Sequence, residues 1–281
     1  MSYGVVMPVR NEETHLHRVL DSVLNQTLPP ETIVVVNDGS TDSTPDILRE
    51  YEKTGIVVLN KKTRVFDSSM NINIGVRIGL NYLLKDPPPF ILRVDGDSVL
   101  WNGHAESCIL ALEKNPKVGM TGGYGHTRRY NVKHQSDASR MYRTEALLNA
   151  LEGKPYPVQF ASDSWTFFAI QWKGWEVLPL PIPYIDLRPY SKGMYRSIMS
   201  GRWRKANGII FLDMLSKTRR EILRTPYIIG GLAEFLAYLL APCVGPEISA
   251  EFEAWLKEWS KMRAVEFIHK VGDALRRRVS I

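Results

Sequence analysis

Phe90-Ile91-Leu92-Arg93-Val94-Asp95-Gly96-Asp97-Ser98 is the stretch on which the reading of this chain turns. A short apolar run following Pro87-Pro88-Pro89 predicts a buried strand, and the strand ends in two aspartates separated by one glycine. At the C-terminal edge of a parallel sheet, that spacing sets two carboxylates where the sheet opens onto its ligand crevice. Two like charges so close resist ionisation unless a cation sits with them. A hard divalent cation suits the place, because Mg²⁺ takes one or two protein carboxylates and completes its shell with phosphate oxygens and water. An Asp-Gly turn closed by a second Asp is also common loop chemistry, so the neighbouring segments have to decide.

Upstream, Gly4-Val5-Val6-Met7 predicts a first strand stopped at Pro8, and Asn11-Glu12-Glu13 offers a helix start. Leu16, Val19, Leu20, Val23 and Leu24 then recur at helical spacing. Ile33-Val34-Val35-Val36 is apolar throughout, as a strand covered on both faces should be, and runs into Asn37-Asp38-Gly39-Ser40. Pro45 suits the first turn of a short helix, Ile56-Val57-Val58-Leu59 predicts another strand, and a helix is expected from about Met70 to Leu84. Alternating strands and helices predict an α/β domain with a mainly parallel sheet and right-handed crossovers. The loops beginning at Pro8, Asn37 and Asp95 all follow strands and therefore meet at one sheet edge. Glu12, Asp38, Asp95 and Asp97 are thereby expected around one crevice.

Composition sets the bounds. At 281 residues the chain holds one large α/β domain or a domain with an appendage. Its net charge of +6 fits an anionic partner. Two cysteines, Cys108 and Cys243, make neither a disulfide framework nor a zinc site, which favours a reducing compartment. Tyr3 to Pro8 enters a strand directly, without the charged start and cleavage site of a secretory signal.

Taken together, Val6-Met7-Pro8-Val9-Arg10-Asn11-Glu12, Val35-Val36-Asn37-Asp38-Gly39-Ser40-Thr41-Asp42-Ser43-Thr44, Asn73-Ile74-Gly75 and Asp95-Gly96-Asp97 resemble the family 2 glycosyltransferases, inverting enzymes of the GT-A fold. The resemblance implies that Pro8, Val9, Arg10, Glu12, Asp38 and Asp95 hold the nucleotide. It also implies that Asp97, aided by Asp95, holds Mg²⁺ or Mn²⁺ on the diphosphate of a sugar donor. Asn37 departs from the family, which often has a second acid there. Further on, Phe160-Ala161-Ser162-Asp163-Ser164 followed by Gly174-Trp175-Glu176-Val177 looks like the segment carrying the catalytic base, with Asp163 present and Ser162 where an acid is usual. Arg202-Trp203 looks like the end of the Gln-x-x-Arg-Trp motif of processive members, and Met199 stands in place of the glutamine. Arg202 and Trp203 are candidates for diphosphate or acceptor contact, whereas the loop residues His126 and His134 carry no assigned role.

Beyond residue 205 the character changes. Lys217, Arg219, Arg220 and Arg224 form a basic cluster before an apolar run from Pro226 to Ala241 that has Glu234 near its middle. The run is slightly short for a bilayer core of about 30 Å, and a central acid opposes insertion, so an interfacial helix pair is favoured over a spanning one, with a helical hairpin packed on its own domain or on a partner subunit as the alternative. Glu247 to Arg278 places Phe252, Trp255, Leu256, Trp259, Met262, Ile268, Val271 and Leu275 largely on one helical side, as a docking helix would. This extension is somewhat like a reduced cellulose-synthase-like or dolichyl-phosphate-mannose-synthase-like one.

The expectations are therefore a GT-A catalytic domain over 1–205 and a helical extension over 206–281. The function expected is a metal-dependent inverting transfer of a sugar from GDP-mannose or a UDP-sugar to an acceptor hydroxyl, with lipid-linked glycans among the candidate acceptors, at the cytoplasmic side of the cell membrane. A sugar-1-phosphate nucleotidyltransferase would need a glycine-rich basic phosphate loop after the first strand, which Pro8-Val9-Arg10-Asn11-Glu12 is not. A catalytically silent nucleotide-binding or membrane-docking module on the same fold is the alternative.

Overall fold

In the computed structural model, residues 2–61, 68–125, 138–158, 162–188, 194–206, 209, 211–222, 228–240 and 250–279 are described. The apolar run Tyr3–Val9 forms β1, buried along its whole length. It is followed by α1 (Leu16–Leu24), β2 (Thr32–Asn37), α2 (Thr44–Glu52), β3 (Val57–Asn60), α3 (Ser68–Leu83) and β4 (Phe90–Val94). Next come β5 (Ser98–Val99), α4 (His104–Lys114), β6 (Val118–Gly125), β7 (Ser139–Arg143), α5 (Thr144–Leu151), α6 (Ser162–Trp172) and β8 (Glu176–Asp186). Four helices follow, α7 (Met194–Ala206), α8 (Phe211–Ile222), α9 (Ile228–Leu240) and α10 (Ala250–Val279).

The eight strands run in the order β3-β2-β1-β4-β7-β6-β8-β5. β1 to β4 are parallel as expected, with Val9 beside Asn37 and Asn37 beside Asn60 at their carboxyl ends. β7 then joins antiparallel to both β4 and β6, β8 lies parallel to β6, and β5 pairs antiparallel with β8, so the sheet is mixed. Because strand side chains alternate faces, Val5, Met7, Val35, Leu92 and Met141 meet α1 and α4 in the main core. On the other face α3 lies close to β1. Gly79 permits this, since a Cβ there would stand 2.3 Å from Val6 Cγ2.

α1 begins at Leu16 and not at the Asn11-Glu12-Glu13 signal. Those residues serve the neighbouring loop instead. Asn11 takes a left-handed backbone conformation (φ 50°), which asparagine tolerates better than most residues. Its side chain accepts the Thr41 N–H at 2.9 Å, and the Glu13 carboxylate accepts the Ser43 N–H at 3.0 Å.

The chain divides into two compact units, Met1–Tyr190 and Ser191–Ile281. In the second, α7 crosses α9 at Gly201, where a Cβ would stand 2.0 Å from the Glu234 carbonyl oxygen. That close packing places α7, with Arg202 and Trp203, in the second unit. Glu234 is buried there, accepting from Ser200 Oγ at 2.5 Å and Arg204 Nε at 3.3 Å. The acid that interrupts the apolar run is thus an internal clamp between two helices. α9 leaves Ile229, Leu232, Leu236, Leu239 and Leu240 exposed along one side. Among the described residues, no helix is long and apolar enough to cross a membrane.

Candidate active site

The parallel register of β1, β2 and β3 aligns their carboxyl ends, and the segments leaving them are tied together by main-chain bonds. Asp38 N–H donates to Val9 O at 2.9 Å, and Lys61 N–H donates to Asn37 O at 2.9 Å. Arg10 reaches across to donate from Nη1 to the Asp38 carbonyl at 3.1 Å. Glu12 N–H donates to Thr44 Oγ1 at 2.7 Å, holding the turn after β1 against the start of α2. Pro8 sits under α3, whose Gly75 would place a Cβ 3.0 Å from the Pro8 Cβ. The Asn73-Ile74-Gly75 motif therefore lets a helix pass close over the carboxyl end of β1, which runs through Pro8 to Val9 rather than stopping at Pro8.

Asn37 shows why an amide replaces the expected acid. It donates from Nδ2 to Asn60 Oδ1 at 2.9 Å and accepts the Ser40 N–H at 3.1 Å, a combination no ionised carboxylate performs. Asp38, buried, accepts from Lys61 Nζ at 2.6 Å. Lys61 also donates to Asn71 Oδ1 of α3. Asparagine, lysine and aspartate thus form one buried polar cluster beneath the crevice.

Asp95-Gly96-Asp97 forms a turn, closed by Ser98 N–H donating to Asp95 O at 3.1 Å. Gly96 fits directly against the first loop, since a Cβ there would lie 3.1 Å from Val9 Cγ1 and 3.2 Å from Glu12 Cγ. That fit brings Asp97 near Glu12. Asp95 accepts from Arg93 Nη2 at 3.2 Å, and buried Arg93 stands opposite buried Arg140 on β7. The second side of the turn is β8, whose Asp186 pairs with Ser98 and whose successor Leu187 donates its N–H to Asp97 O at 2.9 Å. Arg188 then reaches back, donating from Nη2 to Glu12 Oε2 at 2.5 Å and to Asn11 O at 3.1 Å.

Glu12 registers this crowding. Burial pushes its carboxyl up to about 7, Arg188 pulls it down by charge and hydrogen bond, and Asp97 and Asp42 push it up again. Burial outweighs the ion pair because Arg188 is nearly half exposed, where water screens its charge. Asp97 and Glu12 thus stand close enough for their carboxylates to repel. Among the described residues no three His, Cys, Asp or Glu side chains converge as a metal cage. A cation held by Asp97 and Asp95 would complete its shell with diphosphate oxygens and water, the habit of Mg²⁺ rather than of a protein-caged metal.

The structure thus brings together Pro8, Val9, Arg10, Glu12, Asp38, Asp95 and Asp97. Asp163 stands in the first turn of α6, but its side chain and that of Ser162 lie outside the described residues, as do His126 and His134. Arg202 and Trp203 belong to α7 in the second unit, the former exposed and the latter half-buried. Sequence reasoning passed over Lys61, Arg93, Arg140 and Arg188. Arg93 left a usable signal, being a cation inside an otherwise apolar buried strand.

The family profile Glycosyl transferase family 2 matches residues 4–173. An "Uncharacterized glycosyltransferase" of Haemophilus influenzae is 30% identical over 124 residues, covering 43% of this chain and 36% of that protein. A poly-beta-1,6-N-acetyl-D-glucosamine synthase of Staphylococcus epidermidis is 30% identical over 114 residues, covering 40% of this chain and 26% of that protein. The chain thus spans about a third or less of the length of these curated relatives. Among solved structures, the mannosyltransferase PcManGT from Pyrobaculum calidifontis, in complex with GDP-Man and Mn²⁺, superposes with a TM-score of 0.58 at 16% identity, covering 94% of this chain and 85% of that one. TarS from S. aureus in complex with UDP-GlcNAc gives a TM-score of 0.56 at 16% identity, covering 95% of this chain and 73% of that one. These likenesses establish the GT-A architecture.

Proposed function

Because the chain belongs to glycosyl transferase family 2, we propose that it is a metal-dependent inverting enzyme that moves a sugar from GDP-mannose or a UDP-sugar to an acceptor hydroxyl. The observation that carries this is the convergence of Asp38, Glu12 and Asp95-Gly96-Asp97 at the carboxyl edge of parallel strands. Asp38, ion-paired with Lys61, offers carboxylate oxygens as hydrogen-bond acceptors. It suits a base that presents a ring N–H, as uracil and guanine do. That the neighbours PcManGT and TarS are described with GDP-Man and UDP-GlcNAc supports both bases equally.

Inversion requires the acceptor oxygen on one face of the anomeric carbon and the departing diphosphate on the other, through an oxocarbenium-like state. Asp163 is the proposed base that takes the acceptor proton, a role typically worth about 10²–10⁴-fold in rate. Asp95 and Asp97 would hold Mg²⁺ or Mn²⁺. When bound, the cation supplies Lewis-acid stabilisation of the growing diphosphate charge. Arg202 and Trp203 remain proposed contacts to diphosphate or acceptor.

We assign the acceptor to lipid-linked glycans and the place of action to the cytoplasmic membrane face. Support comes from the exposed Ile229-Leu232-Leu236-Leu239-Leu240 stripe and the net charge of +6, which suit an anionic interfacial surface. The test is release of free nucleoside diphosphate from GDP-mannose and UDP-sugars, with Mn²⁺ and lipid-linked acceptors. Acceptor-dependent release, abolished in Asp163→Asn, is expected. Donor binding without turnover against any acceptor would favour the silent-module reading, to which the missing acid at Ser162 lends support.

A further inference from the structure

We propose that Lys61 is a positioning residue for nucleotide recognition that acts through Asp38, a role that rests on the nucleotide-binding reading above. Lysine seldom gives up its water, since a buried ammonium loses strong hydration. Yet the Lys61 side chain is only 5% exposed, and its partner Asp38 only 4%. Both are drawn inside at the mouth of the expected nucleotide crevice. The lysine cannot simply turn away, because its N–H continues the sheet ladder to Asn37 O, and its ammonium is bound by Asp38 Oδ1 and Asn71 Oδ1. One residue therefore ties the end of β3, the turn after β2 and the first half of α3 to a single carboxylate.

Stability alone does not account for such a pair. Replacing a buried ion pair by packed apolar side chains is commonly neutral or stabilising, so its presence asks for a use of the charge. The use is at Asp38. Lys61 pairs with that carboxylate and fixes its orientation from the side-chain end. Arg10 fixes it from the main-chain end by donating to the Asp38 carbonyl. A carboxylate held this way is a preorganised acceptor, and ordering it before the ligand arrives removes an entropic cost of binding. Lys61 itself is committed to Asp38 and Asn71, which assigns it to orienting the base-reading group and not to touching phosphate.

Base selectivity separates these roles. Titrations of UDP, GDP, CDP, ADP and inorganic pyrophosphate, with Mn²⁺ present, would be run on wild type, Lys61→Met, Lys61→Arg, Asp38→Asn and the Asp38→Asn/Lys61→Met double variant. A positioning role predicts that Lys61→Met weakens the preferred nucleotide roughly 10–100-fold, the range for losing a hydrogen bond to a charged acceptor. It should also flatten the preference over CDP and ADP and leave pyrophosphate unchanged, with partial recovery in Lys61→Arg. The double variant should bind as Asp38→Asn does, because two residues acting through one another are not additive. That comparison decides the matter if Lys61→Met alone fails to fold, since the double variant buries no unmatched charge. Wild-type affinity and selectivity in folded Lys61→Met would overturn the proposal, and so would equal losses for pyrophosphate and nucleotide. Failure of the wild type to bind any nucleotide would overturn both this role and the reading on which it rests.

Discussion

Replacing Glu12 by glutamine isolates the energetic consequence of burying an acid beside Asp97. The folded carboxyl titrates at about 7 against an ordinary 4.5, chiefly because burial disfavours its charge. For an acid raised on folding, the stabilising contribution is fully present below the unfolded value and is lost as pH climbs through the folded one. Wild type should therefore lose stability relative to Glu12→Gln between about pH 4.5 and 7 and run parallel to it above. A change from 4.5 to about 7 corresponds to roughly 3 kcal/mol, which for a chain of this size is a relative shift of about 6 °C in Tm. His104, fully buried with its imidazole pushed down to about 4, imposes the opposite slope below pH 6.5. It is present in both proteins and cancels in the difference. Glutamine keeps an oxygen for Arg188, so the packing of Asn11 and Arg188 is retained. The assay is thermal or urea unfolding of both proteins from pH 4 to 9 without metal or nucleotide. A difference that does not vary with pH, or that favours wild type increasingly at high pH, would refute the argument that burial outweighs Arg188.

Gly79→Ala should cost about 1–3 kcal/mol, because the new methyl meets Val6 Cγ2 within a stiff, buried β-branched side chain. The Gly79→Ala/Val6→Ala double variant should recover part of that loss in urea unfolding. Glu234→Ala should destabilise the helical unit by about 3 kcal/mol, leaving Arg204 and Ser200 facing a gap, while Glu234→Gln costs less. Limited proteolysis mapped to residues 191–281 reports both. Co-sedimentation with vesicles containing anionic phospholipid should fall strongly for Leu236→Glu and Leu240→Glu, both on the exposed side of α9, and remain unaffected by Leu178→Glu in the other unit. Equal binding by all three would remove the stripe from the membrane assignment.

Strands β1 to β4 were legible because each is a short apolar run ended by turn residues, and a parallel sheet brings such ends to one edge. Their order and the antiparallel arrival of β7 were not, since pairing between Val94 and Ser139 depends on chain reversal across a long intervening segment. The acids of the site could be read from local motifs. Their cationic partners could not. Lys61 lies 23 residues from Asp38, and Arg188 lies 176 residues from Glu12, with no periodic pattern linking either pair. The Asn11 helix signal misled for a related reason: the side chains of Asn11 and Glu13 satisfy main-chain N–H groups of a loop some 30 residues away. Glu234, read in sequence as an obstacle to membrane insertion, has its explanation in Ser200 and Arg204 on another helix.

Calorimetric titration of GDP, UDP and their sugar conjugates, with Mn²⁺ and with chelator, against wild type and Asp97→Ala tests the central claim most directly. The account predicts binding of one nucleotide that requires the metal and disappears in Asp97→Ala. Binding of no nucleotide under either condition, or binding indifferent to both chelator and the substitution, would contradict it and leave Asp95-Gly96-Asp97 a turn between two strands.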